Sequence, residues 1–389
     1  MRAVIVGAGI GGLCTGLSLQ RKGWTVRILE QAPQLTEVGA GIQLSPNACR
    51  VLLKLDVLDA IRVNAVAPRA LELRTGINGH SVFEIELDQS REAPYLHSHR
   101  ADLVAALQAR LLENDANSLR LNQRVGAYEN DGNGVRVTTH DKQVHRAELV
   151  VGAGGLHCPV RRQMHGSATP IDTGHCAWRA VVPTSEIDHL SLPDSACVWT
   201  GANKHAVSYR IRNGELVNLV AVVESRPGAA ESWSQLGNKQ DTLADFAGWQ
   251  PIVLDLIRKA PTLHKWALFE RPPLSAWHDG QVGLLGDACH PMLPFMAQGA
   301  AMAIEDAWQL ARSLQNQSTI EYALADYFSK RIQRTLRVQS LARNNAKIFH
   351  RQNLFAKAAT YAPLWLAGRL APMTIKQQLA WLYEFDITQ

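Results

Sequence analysis

Apolar and polar positions at the start of the chain follow the order of a strand, a turn and a helix. Residues 2–6 (RAVIV) are almost all apolar, and the run GAGIGG separates them from a helical stretch that ends near Lys22. A second apolar run, TVRILE, ends at Glu30. This order predicts a βαβ unit whose two strands are buried in a parallel sheet.

The middle of the chain changes to a β-rich pattern. An amphipathic helix is predicted over RADLVAALQARLL (100–112), and a buried strand over Ala147–Val151. From about Ile171 the residues alternate between apolar and polar or are β-branched, as in half-buried strands. Asn213-Gly214 separates two such runs and is a strong hairpin pattern. These features predict an antiparallel sheet in this part of the chain.

The segment 282–307, VGLLGDACHPMLPFMAQGAAMAIEDA, returns to the α/β pattern. Its apolar strand runs directly into Asp287, and a proline-bracketed loop follows. A helix is predicted to begin near Gln298–Ala300, and from about Ile320 to the end the pattern is helical.

Composition excludes several classes of protein. The chain has 389 residues and a net charge of +5, without the long Lys/Arg runs of a nucleic-acid-binding protein. No uninterrupted apolar run of about 18 residues is present, and the apolar stretch Ala358–Met373 is broken by prolines and Arg369, which favours packed helices. We therefore expect no membrane span, no metal site and a cytoplasmic location. Free thiols are expected at the scattered cysteines, which are Cys14, Cys49, Cys158, Cys176, Cys197 and Cys289.

The glycine run of the first turn is typical of a dinucleotide site. Gly7, Gly9 and Gly12, together with Gly11, lie between a strand and a helix, which allows close approach of the backbone to a pyrophosphate at the helix N-terminus. Glu30 ends the next strand, where it can accept hydrogen bonds from a ribose. A glycine-rich turn without a ligand is the alternative, and the run alone does not separate NAD from FAD.

The segment after residue 282 favours a flavin. Asp287 at the mouth of a strand can bind ligand hydroxyls, and the helix that follows directs its positive end at whatever lies in front of it. The small residues Gly299, Ala300 and Ala301 allow a flat ring to approach the backbone. A buried strand–helix connection with a capping Asp is the alternative.

These motifs resemble those of the single-component FAD-dependent aromatic hydroxylases, the group A flavoprotein monooxygenases. The resemblance extends over essentially the whole chain and is strongest to the branch that hydroxylates 3-hydroxybenzoate, salicylate or 6-hydroxynicotinate. The matching pieces are GAGIGG with Glu30, GAGIQLSPNA (39–48), HRADL (99–103), the segment 282–307 and WLYEFD (381–386).

The resemblance implies FAD as the cofactor, Arg100 in contact with it and Val125 near its adenine. It also implies NADH or NADPH as a transient electron donor and O2 as co-substrate, with hydroxylation through a flavin C4a-hydroperoxide. The chain departs from the family at Gly154, where the family usually carries an Asp that is tied to pyridine-nucleotide handling. FAD binding is expected to survive because the other two motifs are intact.

The predicted fold class is α/β, with a Rossmann-like FAD-binding domain interleaved with an antiparallel β-sheet substrate domain, as in p-hydroxybenzoate hydroxylase. The helical C-terminus is expected either to cover the pocket or to pair with another subunit in a homodimer. The predicted FAD-binding domain comprises residues 1–70, 97–170 and 270–330, the substrate domain residues 71–96 and 171–269, and the helical segment residues 331–389.

Candidate substrate contacts come from one predicted strand and two loops. In HAVSYRI, His205 and Tyr209 share a face, about 13 Å apart at the usual rise of a strand, and a His can act as a base near neutral pH. A structural role in the core is the alternative for both side chains, and the resemblance favours the substrate role. It also implies substrate contact by Gln298, places Gln43 where the hydroxynicotinate enzymes carry a His, and places Pro294 in the loop over the flavin.

The sequence therefore predicts an FAD-dependent monooxygenase that hydroxylates a phenolic aromatic acid of the hydroxybenzoate or salicylate type in aromatic catabolism. Arg179 can steer the substrate carboxylate, although a structural ion pair explains it equally well. Two alternatives stay open at this point: a flavin oxidase or dehydrogenase that does not hydroxylate, and a degenerate FAD-binding protein. A plain NAD dehydrogenase leaves the Asp287 segment without a purpose.

Overall fold

The structure is a computed structural model that describes residues 1–35, 40–131, 134–167, 169–187, 190–224 and 235–389, without the side chains of residues 235, 354–358 and 372. Gly39, the first residue of the GAGIQLSPNA motif, lies outside the described residues. The helices are α1 (Ile10–Gln20), α2 (Pro46–Lys54), α3 (Leu58–Arg62), α4 (Arg100–Asn114), α5 (Pro159–His165), α6 (Lys239–Asp245), α7 (Pro251–Lys259), α8 (Gly299–Asn316), α9 (Ile320–Phe349), α10 (Leu354–Leu370) and α11 (Pro372–Tyr383).

The strands fall into two large sheets and two small ones. They are β1 (Arg2–Val6), β2 (Thr25–Leu29), β3 (Gly41–Leu44), β4 (Ala70–Thr75), β5 (Ser81–Glu86), β6 (Leu96–His99), β7 (Leu119–Arg120), β8 (Val125–Asn130), β9 (Val135–Thr139), β10 (Val144–Ala147), β11 (Leu149–Gly152), β12 (Ile171–Pro183), β13 (Ser195–Gly201), β14 (Lys204–Ile211), β15 (Leu216–Glu224), β16 (Gln235–Leu236), β17 (His264–Glu270), β18 (His278–Asp279) and β19 (Val282–Leu284).

The first sheet confirms the predicted βαβ unit. Its strand order is β18-β19-β11-β1-β2-β7, and every pair is parallel except β18–β19. Its central strands β1, β11 and β19 are nearly all apolar and almost fully buried, as in strands that are covered on both faces of the sheet. The carboxyl ends of β1, β2, β11 and β19 therefore meet at one edge, where a ligand site is expected.

The second sheet has the order β16-β17-β12-β15-β14-β13-β4-β5. The prediction of an antiparallel sheet holds for every pair except β4–β13, which is parallel. The parallel pair arises because β4 belongs to a separate stretch of chain that enters the sheet at its edge. One face of this sheet packs on α6 and α7 around Trp199, Phe246 and Leu256, and the other faces α9.

The predicted hairpin is confirmed with a slightly longer loop. β14 and β15 pair from Lys204↔Val223 to Ile211↔Leu216. The loop takes the left-handed conformation at Arg212, Asn213 and Gly214. Asn and Gly adopt this conformation at low cost, which explains the position of the turn.

The C-terminal region is helical, as predicted. α9 passes without a break through residue 331, where the C-terminal segment is predicted to begin. Leu364 of α10 and Ile375 and Leu379 of α11 reach the main cavity, so these helices cover it. None of the helices in the described parts of the chain combines the length and apolar character required to cross a bilayer. All six cysteines are free and buried.

Candidate active site

A cavity of 1560 Å³ lies between the parallel sheet, the eight-stranded sheet and the C-terminal helices. Ligand sites commonly occupy about 300–1,000 Å³, so this space can hold a large cofactor and a small substrate together. One end is formed by the carboxyl edge of the parallel sheet. The other end is formed by β12, β14 and β15. We refer to them as the nucleotide end and the substrate end.

The glycine turn at the nucleotide end has the geometry that a pyrophosphate site requires. Gly7 has φ +107°, which only glycine adopts readily. A Cβ at Gly12 would lie 2.0 Å from the Gly7 carbonyl oxygen, so only glycine fits this close turn. Gly9 faces open space and lines the cavity. The turn therefore leaves room for a ligand directly in front of the N-terminus of α1.

Glu30 lies beside this turn and organises it. Its carboxylate accepts hydrogen bonds from the backbone N–H groups of Ala8, at 2.7 Å, and Ala32, at 2.9 Å. The side chain also lines the cavity, and a carboxylate oxygen can accept more than one hydrogen bond. Glu30 can thus hold the turn and still receive ribose hydroxyls.

Arg100 and Val125 reach the same cavity from separate elements. Arg100 begins α4, and its backbone N–H donates to the Ala40 carbonyl, which fixes the start of the helix at the cavity wall. Val125 begins β8 next to Arg124, which also lines the cavity. Both residues therefore lie at the cavity wall, and Val125 lies beside a second cation, Arg124, that is suited to phosphate.

Asp287 and the start of α8 both line the nucleotide end, from neighbouring elements that pack together. Asp287 follows β19 and is open to the cavity, although protein surrounds it on the other sides. Burial raises the pKa of its carboxyl above the usual value, and the nearby His290 and Arg100 oppose that change. α8 begins at Gly299 with no side chain capping its first N–H groups, which leaves these donors available to a ligand.

A buried ionic network supports α8 on its far side. Arg331 donates to Glu305 at 2.6 Å and to Asp306 at 2.7 Å, and Arg334 also pairs with Glu305. Burial alone would raise the pKa of Asp306, but His290 and Arg331 outweigh it and lower that pKa to about 2. The network ties α9 to α8 and so fixes the helix start that faces the cavity.

The substrate end is the face of β14 that carries His205, Val207 and Tyr209, all of which line the cavity. The predicted shared face of His205 and Tyr209 is confirmed. Arg179 of β12 and Val207 of β14 both pair with Val220 of β15, the strand between them. Arg179 therefore lies about 10 Å from Val207 across the sheet.

Tyr209 belongs to an aromatic corner of the cavity. Its ring lies 4.5 Å from that of His97, and burial raises the pKa of its hydroxyl. Gln43 lines the cavity here and accepts a hydrogen bond of 2.6 Å from the Tyr95 hydroxyl. The two predicted residues Gln43 and Tyr209 are therefore brought to the same end of the cavity.

His205 has different surroundings. It is 1% exposed, its ring packs edge-on against Phe295 at 5.1 Å, and its Nδ1 lies 2.7 Å from Nε2 of His350. Burial lowers the pKa of His205 well below its usual value, and His350 and His175 lower it further. A low pKa favours the neutral ring, which can accept a proton, and disfavours the imidazolium that would result.

The structure brings most of the predicted site residues to the cavity wall. Gln298 is an exception. Its side chain donates a hydrogen bond to Ser45 Oγ at 2.9 Å and accepts one from Asn47. It therefore points into a buried polar network and is not part of the described cavity lining. Gly12 packs under the turn, and Ala301 lies inside α8 with no exposed surface. The predicted residues that line the cavity are Gly7, Gly9, Gly11, Glu30, Gln43, Arg100, Val125, His205, Tyr209, Asp287, Pro294, Gly299 and Ala300.

Sequence reasoning missed the side chains that support the site from a distance. Glu305 and Asp306 are adjacent acids in an otherwise apolar helix, and Arg331 and Arg334 share one helix face three residues apart. That pattern could have indicated a buried ionic network. His350 carried no comparable pattern, since it follows a long polar helix and meets His205 only through the fold.

Comparisons with known proteins agree with this geometry. A family model described as an FAD binding domain matches residues 1–341. The chain is 36% identical over 361 residues to 6-hydroxynicotinate 3-monooxygenase of Bordetella bronchiseptica, covering 90% of this chain and 93% of that protein. It is 35% identical over 385 residues to 3-hydroxybenzoate 6-hydroxylase 1 of Aquipseudomonas alcaligenes, covering 98% and 96%. The crystal structure of Klebsiella pneumoniae HpxO complexed with FAD and uric acid matches with a TM-score of 0.84 at 26% identity, over 94% of this chain and 92% of that one.

Proposed function

Because the chain belongs to the FAD-binding family of aromatic hydroxylases and is an FAD-dependent monooxygenase, we propose that it hydroxylates a phenolic aromatic acid with NAD(P)H as electron donor and O2 as co-substrate. The acid is of the hydroxybenzoate or salicylate type. We further propose that the domain boundaries predicted from the sequence separate the two binding functions. The FAD-binding domain holds the cofactor, and the eight-stranded sheet binds the substrate.

The contact between His205 and Phe295 carries this proposal. Phe295 belongs to the short helical turn Pro294–Met296, two residues before α8. His205 belongs to the substrate end, and the two rings lie 5.1 Å apart. The candidate base is thus placed beside the loop that leads to the helix start at the nucleotide end. A phenol that binds at His205 is held next to the expected position of the flavin ring.

The side chains of the substrate end fit a phenolic acid in one orientation. The His205 ring can accept the phenol proton, since His205 lines the cavity and only its Nδ1 is engaged with His350, which leaves Nε2 for the substrate. Arg179, which lies 5.5 Å from the centre of the Trp266 ring, provides a cation for the carboxylate. Tyr209 and Gln43 offer further polar groups at the other end of the same face of β14. Apolar walls at Val207, Val220 and Val222 hold the ring and exclude water.

When bound, FAD supplies the redox and oxygen chemistry, and the protein supplies orientation and proton transfer. The aromatic ring has to be electron-rich to accept an electrophilic oxygen, and deprotonation of the phenol provides this. His205 therefore acts on the substrate hydroxyl, while the start of α8 and Asp287 hold the cofactor in front of it.

The test is NADH oxidation by the FAD-loaded protein with 3-hydroxybenzoate, salicylate and 6-hydroxynicotinate, with product masses recorded. Stimulation of NADH oxidation together with a product that contains one additional oxygen, or a hydroxyl in place of the carboxylate, supports the proposal. Benzoate serves as the matched control because it retains the carboxylate and lacks the phenol. Stimulation by every acid with only hydrogen peroxide formed would contradict hydroxylation.

A further inference from the structure

Three polar side chains form a continuous line from the substrate end of the cavity to the protein surface. Nδ1 of His205 lies 2.7 Å from Nε2 of His350, and Nδ1 of His350 lies 3.0 Å from Oε1 of Glu224. His205 and His350 are 1% and 4% exposed, whereas the Glu224 side chain is 40% exposed. The line therefore begins at a buried ring that faces the cavity and ends at a carboxylate in contact with water.

The backbone holds this line in register although its members are distant in sequence. His350 directly follows α9, and its carbonyl accepts a hydrogen bond from the N–H of Asn203. The Asn203 carbonyl in turn accepts one from the N–H of Glu224. Phe295 and Phe349 pack against the ring of His205 and fix its orientation. The contacts are thus preorganised by the β13–β14 turn, the end of β15 and the end of α9.

The electrostatics of the cluster explain why a proton accepted by His205 has to be passed on. Burial lowers the pKa of His205, and it lowers that of His350 to about 4, against the opposing effect of Glu224. The ionisable side chains that act on the two rings are His175 of β12 and Glu224 of β15, while the loop and α9 contribute the phenyl rings of Phe295 and Phe349. A phenol proton left on His205 would create a cation in this buried cluster, which is costly.

We propose that His205, His350 and Glu224 form a proton relay that carries the phenol proton of the bound substrate out of the cavity to the protein surface. The inference rests on the proposed function and extends it: His205 is the group that touches the substrate, and His350 and Glu224 are positioning residues that act through it.

The step balances without any further reactant. The substrate O–H bond breaks, and its proton joins Nε2 of His205. The proton on Nδ1 of His205 passes to Nε2 of His350, and the proton on Nδ1 of His350 passes to the Glu224 carboxylate. The substrate remains in the site as a phenolate, both rings stay neutral in the opposite tautomer, and Glu224 gives its proton to water. Reprotonation of the product phenolate by the reverse path restores both tautomers.

Proton release on substrate binding tests the relay. The oxidised FAD holoenzyme is mixed in a stopped-flow instrument with the phenolic acid that yields product, in weak buffer with a pH-indicator dye and without NADH. We expect the wild-type protein to release a proton rapidly and His350→Gln to release it about 100-fold more slowly, the size of a typical proton-transfer contribution. Glu224→Gln should slow release as well, because the surface acceptor is lost.

Two controls separate proton transfer from structure. His80→Gln replaces an exposed histidine in the β4–β5 turn and should release protons at the wild-type rate. His350→Ala should be slow in buffer and should recover when free imidazole is added, which a merely structural role would not produce. Wild-type release rates in both His350→Gln and Glu224→Gln, or failure of imidazole to restore His350→Ala, would overturn the relay.

Failure of the relay and failure of the proposed function are distinguishable. If the wild-type protein hydroxylates a phenolic acid and the relay variants release protons normally, only the relay is overturned. If the wild-type protein hydroxylates none of the three acids, the proposed function is overturned, and the relay is overturned with it.

Discussion

The two ends of the cavity are built in different ways. At the nucleotide end, the groups that face the ligand are mostly backbone atoms and short side chains from contiguous motifs, such as the Gly7–Gly12 turn and the start of α8. At the substrate end, the important groups are side chains that come together from distant strands and from the end of α9. One end depends on local chain geometry and the other on tertiary packing, so they should respond differently to substitution.

The largest effect is expected where a buried charge supports the nucleotide end. Arg331→Met leaves the carboxylates of Glu305 and Asp306 without their main buried partner, so the free energy of unfolding should fall by about 3–5 kcal/mol. Urea denaturation of the apo- and FAD-loaded proteins measures this. Lys330→Met is the matched control, since its exposed pair with Asp326 contributes about 0–1 kcal/mol. Equal losses in both variants would contradict a special role for the buried network.

At the substrate end, His205→Ala should reduce the rate of hydroxylation by about 100-fold, because the general base is removed. FAD affinity should be unchanged, since His205 lies away from the glycine turn and from Asp287. Rapid-quench measurement of product in a single turnover gives the rate, and flavin fluorescence gives the affinity. His80→Ala provides the comparison. An unchanged rate of product formation would refute the assignment of His205.

The free energy of unfolding should fall at acidic pH as the Asp306 carboxylate becomes protonated. The pKa of Asp306 in the folded protein is lowered to about 2 from its ordinary value of 3.8. Its contribution is therefore fully present above about pH 4 and is lost as the pH falls toward 2, by on the order of 2 kcal/mol. Urea titrations between pH 5 and pH 2.5 test this for the wild-type protein. Asp306→Asn should show a smaller pH dependence, and an unchanged slope would contradict the assignment.

A smaller and more specific effect is expected at Gly9. A Cβ there meets no protein atom within 4 Å, so Gly9→Ala should fold with a stability within about 1 kcal/mol of the wild type. The added methyl group would enter the cavity where the backbone approaches the cofactor, and the Kd for FAD should rise about tenfold, which corresponds to 1.4 kcal/mol. Isothermal titration of the apoprotein with FAD measures the change. An unchanged Kd would place the pyrophosphate elsewhere.

The same contrast explains how much could be predicted from the sequence. The βαβ unit, the glycine turn, Asp287 and the start of α8 were predictable because the residues that define them are close in sequence and follow strand and helix periodicity. The shared face of His205 and Tyr209 was also predictable, since alternation along one strand decides it.

Features that depend on tertiary contacts could not be predicted in this way. The parallel pairing of β4 with β13 and the meeting of His350 with His205 depend on segments more than 100 residues apart. The side-chain direction of Gln298 also depends on tertiary contacts. Its position before α8 was predicted, but the hydrogen bonds to Ser45 and Asn47 that turn its side chain away from the cavity come from α2 and the residue before it.

We propose that both ends of the cavity act together to place an oxygen atom on a phenolic acid. The most direct measurement is the mass of the product formed by the FAD-loaded protein with NADH and 18O2 from the acid that stimulates NADH oxidation. We predict that the wild-type protein forms an aromatic product with one 18O atom, and that His205→Ala forms almost no such product because its reducing equivalents go to hydrogen peroxide. Complete conversion of NADH without 18O in any aromatic product of the wild-type protein would contradict it.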